Sequence, residues 1–412
     1  MKENHILRLI GLKSKVNRFC IVILFSTVIV AFSMSFSLSA QNKQLFFDIE
    51  TALANKKDLK CSDFIDRIDY IPLETSDKCL LGKISSVLYH VDFFLISSKD
   101  QPVMQFDTSG KFIREIGKIG RGPGEYVRAG RVFIDDNLSE IIVIDIRTRK
   151  LLRYSYSGVF LGWRSFPHHY AQLWYLSANR IVGIIPRQQE SDNVLFRSFL
   201  VDSSNAVKPL IIDDSKLEFG PESIQEFFSC FKFGKSWLFY PPKSDTIYFV
   251  EGQSLKPKAI LMRGSLKMPN SYYKDRATFN TYKDKYIPFI YLLPHSSSKI
   301  SIIADYNGKT EVGFLDLNAG DLYFIDSTDG EVGEVGIIND IDGGPNYLPY
   351  THFNDGIACN ALNTLDLKEL YNDGYFSGRN AKSLIKKRQF MELLDTISET
   401  DNPVIMKIVL FE

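Results

Sequence analysis

The chain has 412 residues, of which 45% are hydrophobic and 13% aromatic, and its formal net charge is zero. That length allows a large core and one to three domains, and the aromatic content, carried by 31 Phe and 20 Tyr, favours strands, where flat side chains fit a pleated surface. No long basic or acidic run is present, which removes the electrostatic case for nucleic acid as a partner.

In chain order, residues 1–40 stand apart from the rest. Lys2, Arg8, Lys13, Lys15 and Arg18 precede the apolar run FCIVILFSTVIVAF, and small residues follow up to Ala40. This order reads as a secretory signal peptide. A retained anchor is the alternative, but the run is shorter than the roughly 20 residues a spanning helix needs. Its removal takes away five Lys/Arg and one Glu, leaving a mildly acidic chain with no membrane span. Residues 41–60 read as a lead-in. Cys61, Cys79, Cys230 and Cys359 follow without a C-x-x-C or a histidine at ligand spacing, so a zinc site is not expected. An exported compartment permits a disulfide, Cys61 with Cys79 being the nearest pair; buried free thiols are the other reading.

An internal repeat comes next. DFFLISSKDQPVMQFDTSGKFIREIG (92–117) aligns with EIIVIDIRTRKLLRYSYSGVFLGWRS (140–165) at an offset of 48 residues. Each copy is an apolar strand, a polar turn, a second strand, a Ser-Gly turn in which glycine takes a positive φ at little cost, and a third strand. An antiparallel meander repeated every 40 to 50 residues is the pattern of a propeller blade. The glycine-rich GKIGRGPGEYVRAG (117–130) lies between the copies. A phosphate loop would be followed by a helix, whereas VFIDDNLSEIIVID follows here, so the stretch reads as a crossing with Glu125 and Tyr126 pinning it.

Looser copies occupy 175–212, 236–261 and 299–326. SYYKDRATFNTYKDKYIPF (271–289) is a Tyr-rich insertion. LDLKELYNDG (365–374) and residues 380–400 have helical spacing, with Leu384, Ile385, Phe390, Leu393, Leu394 and Ile397 on one face. Strands DYIPLE (69–74) and PVIMKIVLF (403–411) stand near the two ends, and pairing them closes a ring and removes exposed edges. The expected fold is all-β: a six-bladed β-propeller over residues 61–412 with about four antiparallel strands per blade and a helical insertion near 363–400.

The segments YIPLETSDKCLLGKISSV, GKIGRGPGEY, SDTIYFV, NDIDGGPNYLPY and ETDNPVIMKIVLF, in this order, resemble the six-bladed β-propeller proteins exported by gut and related bacteria, a group similar to NHL-repeat propellers. The resemblance runs from about residue 60 onward. It implies a propeller and an exported location, in the periplasm or at the cell surface. It implies no activity. Some related propellers are lyases or lactonases with a metal in the central channel, but their ligand pattern has no match here.

Candidate chemistry is sparse. The six histidines are His5, His90, His168, His169, His295 and His352, and each reads first as an ordinary surface or core residue. Asp340 and Asp342 suggest a calcium loop, yet no Glu closes it, and an Asx turn accounts for both. Neither G-x-S-x-G nor H-E-x-x-H occurs. Trp163, Trp174, Tyr347 and Tyr350 are rings that could stack on sugars, although most aromatics here belong between blades. The reading is an exported non-catalytic propeller that binds a glycan, peptide or partner protein at one face of its channel, with Arg121, Glu125, Tyr126, Arg128, Asp342, Tyr347, Tyr350 and His352 as ligand-facing residues. No cofactor is expected. The alternatives are a lyase or hydrolase with a divalent metal, Ca or Zn, on Asp342 and His352, and a structural module presenting its helices to another protein.

Overall fold

The computed structural model describes residues 44–411, apart from 167–171, 178–179, 185–197, 202–206, 210, 213–227, 242, 274, 297, 327–335, 350–352 and 355. The basic start, the apolar run and His5 therefore lie outside the described residues. Among those residues no helix is long and apolar enough to cross a membrane.

The chain is an all-β propeller built mainly from four-stranded antiparallel sheets. The first sheet holds Ile84–Tyr89, Phe93–Ser98, Val103–Asp107 and Phe112–Ile116; the second holds Arg131–Asp135, Glu140–Asp145, Lys150–Ser155 and Phe160–Ser165. These are the two aligned copies, and the repeat survives in detail. A register shift falls between Gln105 and Phe106 in one and between Arg153 and Tyr154 in the other, 48 residues on. Gly110 and Gly158 both have positive φ, 88° and 80°. Every residue of Phe93–Ser98 and of Glu140–Asp145 is buried. Both faces of a blade are covered by neighbours, so these strands read as continuous apolar runs instead of alternating ones.

The third sheet orders Gln172–Ser177, Arg180–Ile184, Ser198–Val201 and Val207–Pro209. The fifth orders Ile290–Pro294, Lys299–Tyr306, Lys309–Asp316 and Asp321–Ile325. The sixth orders Phe353–Asn354, Ile357–Leu362, Val404–Leu410 and Ile65–Pro72. In that last sheet the early strand pairs antiparallel with the late one, Tyr70 opposite Met406.

The expectation of six four-stranded blades needs correction: five sheets are regular four-stranded blades. The stretch expected as another blade belongs to a six-stranded sheet. Its strands Ser229–Phe233, Ser236–Tyr240, Thr246–Glu251 and Ser254–Met262 form a meander, and the nine-residue outer strand has an edge long enough to take two more. Leu45–Asp48 pairs there, and Ile211–Ile212 joins in parallel.

Apolar layers join neighbouring sheets. Leu95 and Ile116 pack with Ile141 and Val143 between the first and second. Ile142, Ile144 and Leu151 turn the other way, onto Leu173 and Ile181 of the third. Trp174 and Val182 meet Phe239 and Leu255; Val312 and Phe314 meet Met406 and Ile408; Cys359 and Ile405 meet Phe94 and Ile96. Between the six-stranded and fifth sheets, the Leu292 N–H donates to Ser229 Oγ over 3.1 Å.

Among the described residues four α-helices decorate the sheets: α1 (Ile49–Ala54), α2 (Arg276–Tyr282), α3 (Thr364–Asn372) and α4 (Leu384–Thr396). The helical insertion was expected with Leu384 and Ile385 on its packed face. In the structure Phe390, Leu394 and Ile397 are buried, while Leu384 and Ile385 are exposed.

Candidate functional site

Antiparallel strands send alternate connections to opposite faces. Connections from second to third strand, and from one sheet's fourth strand to the next sheet's first, therefore share a face. The crossing 117–130, the Tyr-rich insertion, the segment 336–349 and the α3–α4 insertion all belong to this class. Topology thus brings the two candidate stretches to one face.

The crossing 117–130 is held from beneath. Lys118–Ile119 pairs in parallel with Glu125–Tyr126. Tyr126 is fully buried; its hydroxyl donates to Ile116 O (2.7 Å) and accepts from Val103 N (2.8 Å). Burial pushes its phenol above the ordinary range. The Glu125 carboxylate accepts from Gly122 N over 2.8 Å. A Cβ on Gly120 would lie 2.0 Å from Glu125 Oε2. A carboxylate of the chain itself therefore fills the concavity that an external anion would need. Buried Asp145 fixes the loop's far end, accepting from Val127 N (2.8 Å), Arg147 N (2.9 Å) and Thr148 Oγ1 (2.7 Å). Arg121 and Arg128 remain on the outside. Both are exposed, and neither has an ion-pair partner among the described residues.

The segment 336–349 is built differently. Asp342 is 1% exposed, and its Oδ1 accepts from Asn339 Nδ2 (2.7 Å), Gly344 N (2.8 Å) and Tyr70 Oη (3.1 Å). Burial raises its carboxyl above the usual range, with Gly344, Asn339 and Tyr70 opposing. Asp340 also suffers burial, but two hydrogen bonds from Ser62 and the Lys382 ammonium at 3.2 Å outweigh it and hold its carboxyl low. Tyr347 is fully buried and exchanges backbone hydrogen bonds of 2.9 Å with Ile337. The aspartates thus work as turn formers and as ties between the early residues Ser62 and Tyr70 and the helical insertion. Asp342 and Tyr347, both expected as ligand-facing, are buried beneath this surface. Tyr350 and His352 lie outside the described residues, as do His168 and His169, so the metal reading on Asp342 and His352 rests on one described carboxylate whose Oδ1 is already bound. Among the described residues no group of three metal-ligating side chains occurs.

His295 is buried beside Phe314, ring centroids 4.3 Å apart, and burial lowers its imidazole to about 3. His90 sits between Asp92 and Asp136, each at 3.6 Å. Of the candidate rings, Trp174 is buried under Arg131, while Trp163 is exposed on an outer strand with Lys150 above it. Ser62, Tyr70, Arg379 and Lys382, which complete the 336–349 network, were missed; no local pattern marks contacts that span more than thirty residues for Arg379 and Lys382 and more than 270 for Ser62 and Tyr70. The stack of Tyr272 on Tyr282, centroids 4.1 Å apart, was within reach, because its rings come from the insertion already noted as Tyr-rich.

Residues 45–408 match the family described as a domain of unknown function, DUF4934. The chain belongs to the DUF4934 family. The DUF4934 chain is similar in fold to a solved protein from Bacteroides fragilis NCTC 9343 that is named as an exported protein. That protein is 20% identical, with a TM-score of 0.66 over 90% of this chain and 100% of its own. A DUF4221-family member from Bacteroides vulgatus shares 12% identity with a TM-score of 0.41, over 63% of this chain and 84% of its own. A virginiamycin B lyase from Staphylococcus aureus shares 9% identity with a TM-score of 0.39, over 64% and 76%. No curated protein matches the DUF4934 chain.

Proposed function

We propose that this DUF4934 protein is an exported, non-catalytic propeller that binds a ligand bearing anionic groups, whether glycan, peptide or partner protein, at the face built by its inter-sheet crossings. The observation that carries the reading is the crossing 117–130. Tyr126, Glu125 and Asp145 hold its backbone rigid, and the exposed Arg121 and Arg128 have no carboxylate partner among the described residues. Guanidiniums carried on a fixed backbone recognise carboxylate, sulfate or phosphate groups geometrically as well as by charge. The six-stranded sheet counts in this reading as the sixth blade, supported by the apolar layer on its third-sheet side and the Ser229–Leu292 hydrogen bond on the other. Export to the periplasm or cell surface is supported by the pattern of residues 1–40.

The test is a screen of the purified chain against glycan and peptide arrays, repeated with Arg121→Ala/Arg128→Ala. Anionic ligands should bind the parent and lose about tenfold or more in the variant, with thermal unfolding unchanged. Equal binding by the two proteins overturns the assignment of this face.

A further inference from the structure

Helix α4 begins with a feature that packing does not explain. Ser383 caps it, its Oγ accepting from Lys386 N over 3.3 Å. The next two residues, Leu384 and Ile385, are each 73% exposed, more than any other large hydrophobic side chain among the described residues. Leaving two adjacent aliphatics in water is unfavourable, and α4 already buries Phe390 and Leu394 against the sixth sheet.

The sequence around this tip is one-signed, and the carboxylates that approach it, Asp340 and the buried Asp342, come from another segment. From Gly374 to Met391 the chain contains Arg379, Lys382, Lys386, Lys387 and Arg388 and not a single acidic residue. Lys382 pairs with Asp340. Arg379 donates to Tyr375 Oη and Asn346, and Lys387 to the carbonyls of Ser377 and Arg379, all neutral acceptors. Arg388 has no ion-pair partner among the described residues, and Lys386, which lies within electrostatic reach of the buried Asp342 carboxylate, makes no direct salt bridge to it.

We infer that the α4 tip docks on an anionic lipid surface, Leu384 and Ile385 entering the headgroup–acyl boundary while the surrounding Lys and Arg engage lipid phosphates. The placement of the aliphatics decides for lipid over a protein groove. A helix laid in a groove presents anchors at i, i+3, i+4 and i+7, and here positions 387 and 388, which would carry them, are Lys and Arg. Two neighbouring aliphatics at a helix end, ringed by cations, suit a fluid apolar layer under a negative surface. The inference is independent of the ligand assigned to the 117–130 crossing.

The experiment is co-sedimentation of the full mature chain with vesicles of phosphatidylcholine, with and without phosphatidylglycerol, at low and high salt. Binding is expected only with phosphatidylglycerol and should weaken as salt rises. Leu384→Ser/Ile385→Ser should lower it about tenfold. Lys386→Gln/Arg388→Gln should remove part of its salt dependence. All four positions lie outside the buried core, and an unchanged unfolding temperature confirms that each variant is folded. Failure of the folded parent to bind phosphatidylglycerol vesicles at low salt overturns the inference. So does unaltered binding by Leu384→Ser/Ile385→Ser, or a poly-glutamate peptide that competes as well as lipid and depends on the same aliphatics.

Discussion

At the scale of single residues, burial controls the chemistry. Cys61, Cys79, Cys230 and Cys359 are all free and buried. The pair nearest in sequence, Cys61 and Cys79, sits in different apolar layers. Burial pushes the Cys359 thiol up to about 12, and those of Cys61 and Cys230 rise as well. Thiolate is the nucleophile, which protects these three, and Cys79 is shielded by burial, so iodoacetamide at neutral pH should leave all four unmodified in the native protein and label them only after denaturant is added; rapid native labelling would contradict the packing. His295 makes a prediction of the opposite kind. Its folded value lies near 3, below the ordinary 6.5, so the unfolded chain takes up a proton that the folded chain refuses. Stability should therefore fall as pH drops from about 6.5 towards 3, by up to roughly 1.4 kcal/mol per pH unit from this group. His295→Phe should flatten that slope in denaturant titrations, whatever its effect on stability at pH 7.

At the scale of elements, the repeat supplies its own controls. Gly110 and Gly158 occupy equivalent turns and both have positive φ. A Cβ on Gly110 would lie 2.2 Å from the carbonyl oxygen of Pro72, a backbone atom fixed in the sheet-closing strand. On Gly158 the nearest atom is Arg114 Cδ at 3.0 Å, part of a flexible side chain. Both alanine variants should lose about 1 kcal/mol to backbone strain, and Gly110→Ala should lose at least that much again. Chemical denaturation of the two variants measures the difference. Tyr126→Phe removes a hydroxyl satisfying two buried backbone groups, and a loss of about 2 kcal/mol is expected, with Arg121 and Arg128 less well positioned as a result. The strands were legible in sequence because blade cores demand continuous apolar runs and turns demand glycine. The candidate site was less so. Asp342 is indistinguishable from a surface turn aspartate until Tyr70 closes over it beside the local Asn339, and Tyr70 lies 272 residues away in the chain. Leu384 and Ile385 fit a helical period with Phe390, yet the first turn of α4 extends beyond what the sheet can cover.

For the whole molecule, the decisive contact lies between its extremes. Ile65–Pro72 pairs with Val404–Leu410 over a register from Ile65–Leu410 to Pro72–Val404. The need to close a ring and remove exposed edges made this pairing readable, whereas the capture of Leu45–Asp48 by the edge of Ser254–Met262 was not, because a four-residue strand carries too little pattern to name its partner. Deleting residues 403–411 should expose edges in the sixth sheet on either side of the lost strand, giving a protein that aggregates and fails to unfold cooperatively; a monomeric, cooperatively folding truncation would contradict the ring. The same latch constrains the order of events in synthesis. Until residue 410 is available, Ile65–Pro72 has no partner, however well the intervening sheets have formed. A chain threaded through a membrane pore in linear order would remain an open arc for almost its entire passage, and only the last strand to arrive would lock it.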